Sequence, residues 1–197
     1  MARIKTGNDL SRKDVILNAA AALFREKGYK AASMRDLAER VGVEAASLYN
    51  HIRSKTELLH DICFNIATLY SDHMDQVEAS QSSSLEKVET VLRFQINQMI
   101  HNYAEVYVAD REWRYLAEPH LSTYQNIRHT YRKRLNAIIT EGIEKNEIKE
   151  VNVPSAIWIM LHAISGIESW HRSKTKVEPA VLEENIISIL IDGLRKQ

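Results

Sequence analysis

The sequence predicts an all-α protein, and three observations support this fold class. Along most of the 197 residues, apolar side chains recur at intervals of three and four, which is the spacing of one helical face. The strict alternation of apolar and polar residues that predicts a β-strand is missing from the sequence. Pro119, Pro154 and Pro179 each fall where a helical run begins, and proline prefers the first helical turn.

The composition describes a chain that can bury a full core in one or two domains. Basic and acidic side chains balance at 26 each, but they are unevenly distributed. Residues 1–60 hold 11 basic and 7 acidic side chains, whereas the rest of the chain holds 15 and 19. The N-terminal part therefore carries the positive charge that favours an anionic partner such as nucleic acid.

Cysteine content and hydropathy indicate the compartment. Cys63 is the single cysteine, which excludes an intrachain disulfide and fits a reducing cytoplasm. No segment approaches the roughly 18 consecutive apolar residues of a membrane-spanning helix. No signal peptide precedes the first predicted helix. We therefore expect a cytoplasmic protein without a membrane partner.

The first predicted helix begins at Ser11, which has the spacing of a capping box with Asp14, and it ends at Gly28. Basic residues precede and open it: Arg3, Lys5, Arg12 and Lys13. Such an arm is suited to follow a phosphate backbone or to enter a minor groove. The alternative for residues 1–9 is a solvated, disordered tail.

Residues 33–55 predict two short helices joined at a glycine. Ser33 and Asp36 have the spacing of a capping box, so a helix is expected from Met34. Gly42 ends this helix, because glycine adopts the left-handed conformation at low cost. A second helix then runs from about residue 44 to residue 50, with Leu48 turned to the core. Two short helices with a sharp turn between them are typical of a helix-turn-helix.

The rest of the chain is expected to be helical as well. A further helix opens at Ser54 with Glu57 in a capping box, and its start is suited to hold a phosphate. The run Ser80–Ser84 predicts a linker. Later helices are predicted from Leu85 to about Val108, from near Leu121 to Asn146, from Pro154 to about His171, and from Pro179 to Lys196. We expect a three-helix helix-turn-helix domain over residues 1–53 and a helical ligand-binding and dimerisation domain over residues 54–197.

The N-terminal region resembles the DNA-binding domain of TetR-family transcriptional regulators. The resemblance is carried by the run AALFREKGYKAASMRDLAERVGVEAASLYNHIRSKTELL. Within the family this implies phosphate contact from Ser33, Tyr49, His51 and Lys55, with base reading by the first half of the second short helix. The predicted DNA-binding residues are Ser33, Met34, Arg35, Ala45, Ala46, Ser47, Tyr49, Asn50, His51 and Lys55.

Base reading by this helix has few polar donors. Glu44 suits the helix dipole but not nearby phosphates. Ala45 and Ala46 offer methyl groups, which favour thymine methyl contacts over guanine acceptors. Specificity is therefore expected to depend on Asn50, with Arg35 and Ser47. The alternative is that the serines and the glycine are ordinary caps and that Tyr49 is a packed aromatic.

The last two predicted helices are too apolar to serve one small core. TetR-like proteins pair these two helices with their symmetry mates in a four-helix bundle, and a symmetric operator needs a two-fold protein. The resemblance thus implies a homodimer, and the alternative is a monomer with a deep core. The predicted dimerisation residues are Ile157, Leu161, Ile164, Ile186, Ile187, Leu190 and Leu194.

Aromatic and cationic residues gather between positions 99 and 172, as in a small-molecule site. The predicted ligand-binding residues are Tyr103, Tyr107, Arg111, Trp113, Arg114, Trp158, His162, Trp170 and Arg172. The alternative is that the aromatics are plain core. The segments REWRYL, GIEKNEIKEVNVPSAIWIM and GIESWHR resemble TetR regulators that respond to acyl-coenzyme A thioesters. That resemblance implies arginine contacts to coenzyme phosphates, and the alternative is that these arginines bridge neighbouring glutamates.

These patterns predict a DNA-binding regulator, most simply a homodimeric repressor that a small hydrophobic or acyl-coenzyme A effector releases from a palindromic operator. An enzyme is the rival class. The sequence lacks a glycine-rich phosphate loop, a nucleophile elbow and a pair of histidines at i and i+4, so no catalytic or metal residues and no cofactor are predicted. A helical interaction protein without DNA binding is the other alternative.

Overall fold

The computed structural model describes residues 11–195. Within that range it contains ten α-helices and a short 3-10 helix, Trp113–Tyr115, and no strand longer than an isolated bridge between Ile148 and Arg195. The all-α prediction is confirmed. The helices are α1 (Arg12–Lys27), α2 (Met34–Val41), α3 (Ala45–Leu48), α4 (Lys55–Ala79), α5 (Ser84–His101), α6 (Tyr103–Arg111), α7 (His120–Glu144), α8 (Val153–Ser165), α9 (Ile167–Arg172) and α10 (Pro179–Asp192).

The helix starts follow the predicted caps. Capping boxes open α1 at Ser11 and α2 at Ser33, as the spacing indicates. At α4 the Ser54 hydroxyl accepts the Glu57 N–H at 3.1 Å, but the Glu57 carboxylate accepts the N–H of Arg53 instead of that of Ser54. A capping box missed by the sequence analysis, with Ser83 as the N-cap, opens α5 one residue earlier than predicted.

Two long helices of the prediction are broken in the structure. The helix expected over residues 85–108 divides into α5 and α6 at Asn102. The helix expected over residues 154–171 divides into α8 and α9 at Gly166, whose N–H donates to the carbonyls of His162 and Ala163. The last helix ends at Asp192 rather than at Lys196, and α3 ends at Leu48 rather than at residue 50. A simple apolar period gives no warning of such breaks.

The chain forms two compact units. Among the described residues, the first combines residues 11–67 with residues 104–124, and the second combines residues 68–103 with residues 125–195. The units divide inside α4. The functional boundary expected between residues 53 and 54 remains a prediction.

Each unit has its own apolar core. In the first, the buried apolar side chains come from α1, α2, α3 and the start of α4, and they include Ile16, Phe24, Leu37, Leu48, Leu58 and Leu59. In the second, α5 is central and packs against α8, α9 and α10. Arg93 of α5 also forms ion pairs with Glu183 and Glu184 of α10, at 3.1 and 2.7 Å. In the range that the structure describes, none of the helices has the length and hydropathy needed to cross a bilayer.

We expect Gly42→Ala to destabilise the protein by roughly 1–2 kcal/mol, because a side chain is unfavourable in left-handed backbone. Gly42 ends α2 with φ 74° and ψ 37°, and the position of its missing Cβ is open, so backbone strain alone should decide the cost. Urea unfolding followed by circular dichroism measures the change in the free energy of unfolding. Gly42→Asn should cost less, because asparagine tolerates this conformation. Equal stability of Gly42→Ala and the wild type would show that a side chain in the left-handed backbone at this position has no such cost.

Candidate nucleic-acid interface and effector residues

The helix-turn-helix presents one exposed face. Leu37 and Ala38 of α2 and Leu48 of α3 are buried together, which turns the remaining residues of α3 outward. The Tyr49 side chain, directly after α3, is 55% exposed. The other predicted DNA contacts on this face, all exposed, are Ala45, Ala46, Ser47, Asn50 and His51. An exposed surface of small residues, with one phenol, one imidazole and one amide, is thus available to a groove.

The start of α2 is also exposed, and α2 packs against α3. The exposed Ser33 hydroxyl accepts the Asp36 N–H at 3.1 Å and donates to the Asp36 carboxylate. Hydrogen bonds from Lys27, at 2.6 Å, and from Ser33 hold the pKa of the Asp36 carboxyl well below its ordinary value. Lys27 therefore balances the negative charge of Asp36, and the α2 N-terminus keeps the partial positive charge that favours a phosphate.

Lys55 is directed into the first unit rather than into solvent. Its Nζ donates to the carbonyl oxygens of Tyr29 and Ala32 at 2.8 Å each, and it lies 3.4 Å from the carbonyl oxygen of Lys30. The ammonium also lies 4.5 Å from the centre of the Tyr29 ring. An ammonium has three donors, and these contacts use them. Phosphate contact from Lys55 remains a prediction. In the structure, Lys55 anchors the segment between α1 and α2.

Other cations of this unit differ in availability. Lys13 pairs with Asp61 at 2.7 Å, and Arg40 pairs with Glu26. Among the described residues, Arg35 and Arg53 are exposed and lack an ion pair, so they are free to meet phosphates. Arg3 and Lys5 of the predicted arm lie outside the described residues.

The predicted effector residues are divided between the two compact units. Tyr107, Arg111, Trp113 and Arg114 belong to the first unit. There the Arg114 guanidinium lies 4.9 Å from the centre of the Trp113 ring, and Arg111 lies 5.7 Å from that of Tyr107. The remaining five, Tyr103, Trp158, His162, Trp170 and Arg172, belong to the second. No single unit contains the whole predicted set.

In the second unit, the predicted effector residues occupy two settings, because the His171 ring contacts both Tyr103 and Trp170, the latter at 4.9 Å between ring centres. The Tyr103 ring stacks on His171 at 4.0 Å between ring centres. Trp170 donates its indole N–H to the carbonyl of Val177, and Arg172 pairs with Glu168 at 3.1 Å. Trp158 is 62% exposed, with the His162 ring 4.4 Å away, so this pair lies on the outer face of α8.

Sequence reasoning missed a polar cluster inside the second unit. The buried Gln95 amide of α5 donates to the Tyr131 hydroxyl of α7 at 2.7 Å, and burial raises the pKa of Tyr131 to about 12. The His73 ring of α4 stacks on Phe94 at 3.8 Å, and burial lowers its pKa. The His73 Nδ1 atom is buried, and within residues 11–195 it has no hydrogen-bond partner. A glutamine on an otherwise apolar helical face was the available signal.

The predicted dimerisation residues point largely inward. Ile157, Ile164, Ile187 and Leu194 are buried within the chain, and Leu161, Ile186 and Leu190 are partly exposed. The large apolar side chains that face outward from α8 and α10 are Trp158, Ile159, Val181 and Ile189, and Ile189 is 74% exposed. Trp158, Ile159 and Ile189 lie one or two positions from a predicted dimerisation residue, and Val181 lies five positions before Ile186.

Family models match both parts of the chain. Residues 16–62 match the bacterial regulatory proteins of the tetR family, and residues 81–194 match the tetracyclin repressor-like C-terminal domain. The second match alone spans more than half of the chain. The chain therefore belongs to the TetR family and is a ligand-responsive, DNA-binding transcriptional regulator.

Individual relatives are similar over nearly their whole length. The HTH-type transcriptional repressor KstR2 of Mycobacterium tuberculosis H37Rv is 23% identical over 95% of this chain and 94% of its own. The fatty acid metabolism regulator protein of Bacillus subtilis 168 is 24% identical over 92% and 95%. The solved structure of the M. tuberculosis KstR2 has a TM-score of 0.88, covering 98% and 99% of the two chains. AibR, solved with isovaleryl coenzyme A and operator DNA, has a TM-score of 0.79 at 20% identity, covering 92% and 98%.

Proposed function

We propose that the protein is a cytoplasmic repressor that binds a palindromic operator as a homodimer and is released by an acyl-coenzyme A effector. DNA binding is supported by the exposed face of α3 together with the exposed, capped start of α2. Phosphates meet hydroxyl and amide donors there, and bases meet small side chains. A regulator of this kind needs no catalytic group, so it acts by binding alone.

Specific and non-specific contacts on this face have different chemistry. The exposed Tyr49 and His51 carry polar groups suited to phosphate oxygens, which are the same in every sequence. Asn50 offers the paired donor and acceptor of an amide, which suits adenine. The methyl groups of Ala45 and Ala46 suit thymine. We infer that the operator half-site is rich in A·T pairs where α3 enters the groove.

Binding of the wild-type protein to the DNA upstream of its own gene tests this function. Affinity should fall linearly with salt on logarithmic axes, because phosphate contacts release counterions. Tyr49→Phe should weaken all operator variants alike, whereas Asn50→Ala should change the order of preference among them. Fluorescence anisotropy with a set of single-base operator variants measures both the affinity and the order of preference.

Asn126→Ala is the matched control for this series, because it makes the same change on an exposed position of α7. It should leave affinity and preference unchanged. Lack of DNA affinity at every salt concentration would refute the proposed function and favour a helical interaction protein instead. Uniform effects of Tyr49→Phe and Asn50→Ala would refute the division of roles.

A dimer through α8 and α10 is supported by the outward apolar residues of these two helices. Trp158, Ile159, Val181 and Ile189 are large and exposed, and a second copy would remove them from water at about 25 cal/mol per Å² of apolar surface. The buried residues Ile157, Ile164, Ile187 and Leu194 would support this face from beneath. Trp158 and His162 are accordingly better suited to the dimer than to the effector.

Ile189→Glu should convert the protein from a dimer to a monomer, because a carboxylate would be buried without a partner at the interface. Ile189 is exposed in the single chain, so the variant should still fold. Sedimentation equilibrium distinguishes the 22.6 kDa chain from twice that mass. Leu69→Glu, which charges an exposed leucine of α4, should remain dimeric. A dimeric Ile189→Glu protein would exclude this interface.

The acyl-coenzyme A effector is supported by the residues after α6 and by the complexed structure of AibR. Arg111 and Arg114 are exposed cations suited to coenzyme phosphates, with Trp113 between them as an aromatic surface. Coenzyme A carries phosphate groups and an adenine ring, which suit this combination of cations and an indole.

Isovaleryl and palmitoyl coenzyme A should each be tested against the preformed operator complex. We expect at least one thioester to weaken operator affinity roughly 5- to 150-fold, the usual range of allosteric coupling. Free coenzyme A and the free fatty acid are the controls, and neither should act alone. Release of the operator by the free acid would indicate a different class of effector. If neither thioester releases the operator, the acyl-coenzyme A effector is refuted.

A further inference from the structure

Glu112 connects the segment after α6 to the loop between α1 and α2. Its carboxylate accepts a hydrogen bond at 3.2 Å from the backbone N–H of Tyr29, 83 residues earlier in the chain. Tyr29 lies in residues 28–33, which we call the α1–α2 loop. Both residues belong to the first compact unit. A residue of the region matched by the C-terminal family model thus contacts the region matched by the N-terminal family model.

The Tyr29 side chain strengthens this connection. It is buried, with its ring edge-on to Phe24 at 5.2 Å and stacked on Tyr115 at 5.6 Å with 19° between the planes. The Lys30 ammonium lies 5.0 Å from the centre of the Tyr115 ring. Residues 112–115 therefore hold the α1–α2 loop by one hydrogen bond, one ring stack and one cation–π contact.

Lys55 holds the same loop through its carbonyl oxygens. The Tyr29 residue donates its N–H to Glu112 and accepts the Lys55 ammonium on its carbonyl, so it joins the two contacts directly. The second short bond from Lys55 goes to Ala32, immediately before the N-cap residue Ser33. Displacement of this loop would therefore move the start of α2.

We propose that Glu112 is a positioning residue for DNA binding, which together with Lys55 fixes the α1–α2 loop and thereby the start of α2 at Ser33. This inference rests on the proposed function and deepens it, because Glu112 is flanked by Arg111, Trp113 and Arg114. An effector bound by these neighbours displaces Glu112 and loosens the loop. The effector signal then reaches the DNA-binding face within one compact unit.

The direction in which operator affinity changes when the Glu112 carboxylate is removed distinguishes a positioning role from a simple effect of charge. Removal of a carboxylate from a DNA-binding unit should, through charge alone, leave DNA affinity unchanged or raise it. Loss of a positioning contact should lower it. Glu112→Ala is therefore expected to bind the operator roughly three- to tenfold more weakly, the range of one hydrogen bond. Glu112→Gln keeps a carbonyl acceptor and should bind nearly as well as the wild type.

Anisotropy titrations of the wild type, both Glu112 variants and Glu144→Ala test the proposal. Glu144 is an exposed carboxylate at the end of α7, so its removal matches the charge change without touching the loop. Tyr115→Ala should weaken binding as Glu112→Ala does, and Tyr115→Phe should not, which keeps the test available if Glu112→Ala fails to fold. Unchanged or tighter binding by Glu112→Ala and Tyr115→Ala would overturn the proposal.

Hydrogen exchange of the DNA-free protein gives a second readout. A peptide covering residues 28–33 should exchange faster in Glu112→Ala than in the wild type, Glu112→Gln or Glu144→Ala. Unchanged exchange would overturn the role of Glu112. Wild-type protein that binds no DNA would overturn the proposed function, whereas intact wild-type binding that Glu112→Ala does not alter overturns only the positioning role.

Discussion

Burial of Leu48 is the interaction on which the DNA-binding face depends. The α3 helix has four residues, too few to be stable as an isolated helix, and its N-cap residue Glu44 makes no side-chain cap bond. Leu48 is fully buried against the neighbouring helices, and a buried leucine contributes about 1.5–3 kcal/mol. The orientation of α3 is thus set by its neighbours, and whatever moves α2 or the start of α4 also moves the surface that meets DNA.

Local signals allowed much of the fold to be predicted from the sequence. The capping boxes at Ser11 and Ser33 and the left-handed glycine Gly42 are each decided by residues within four positions, so spacing alone reveals them. The breaks at Asn102 and Gly166 were not predictable in this way. At both positions the apolar period continues across the break. The interruption at Gly166 depends on how α8 and α9 each pack against α5 in the second unit.

The candidate sites likewise contain residues whose exposure local spacing predicts and residues whose exposure depends on tertiary packing. The exposure of Ala45, Ala46 and Tyr49 followed from the helical period of a short segment. The outward side of α8 and α10 could not be predicted from the helical period, because both helices are apolar around most of their circumference. A single chain buries Ile157 and Ile187 while leaving Trp158 and Ile189 exposed, and only the tertiary packing of α5 against these helices decides this. The contact between Glu112 and Tyr29 joins residues too far apart in sequence for any motif to indicate it.

Energetics make a short coupling path sufficient for regulation. Allosteric coupling is typically 1–3 kcal/mol, and one hydrogen bond contributes roughly 0.5–1.5 kcal/mol. Loss of the Glu112 contact, with partial loss of the Tyr115 stack, therefore falls within the range that a regulator needs. An effector can supply this free energy only if it binds more tightly to the state in which the loop is released. By reciprocity, operator DNA that holds Ser33 in place must weaken effector binding by the same factor.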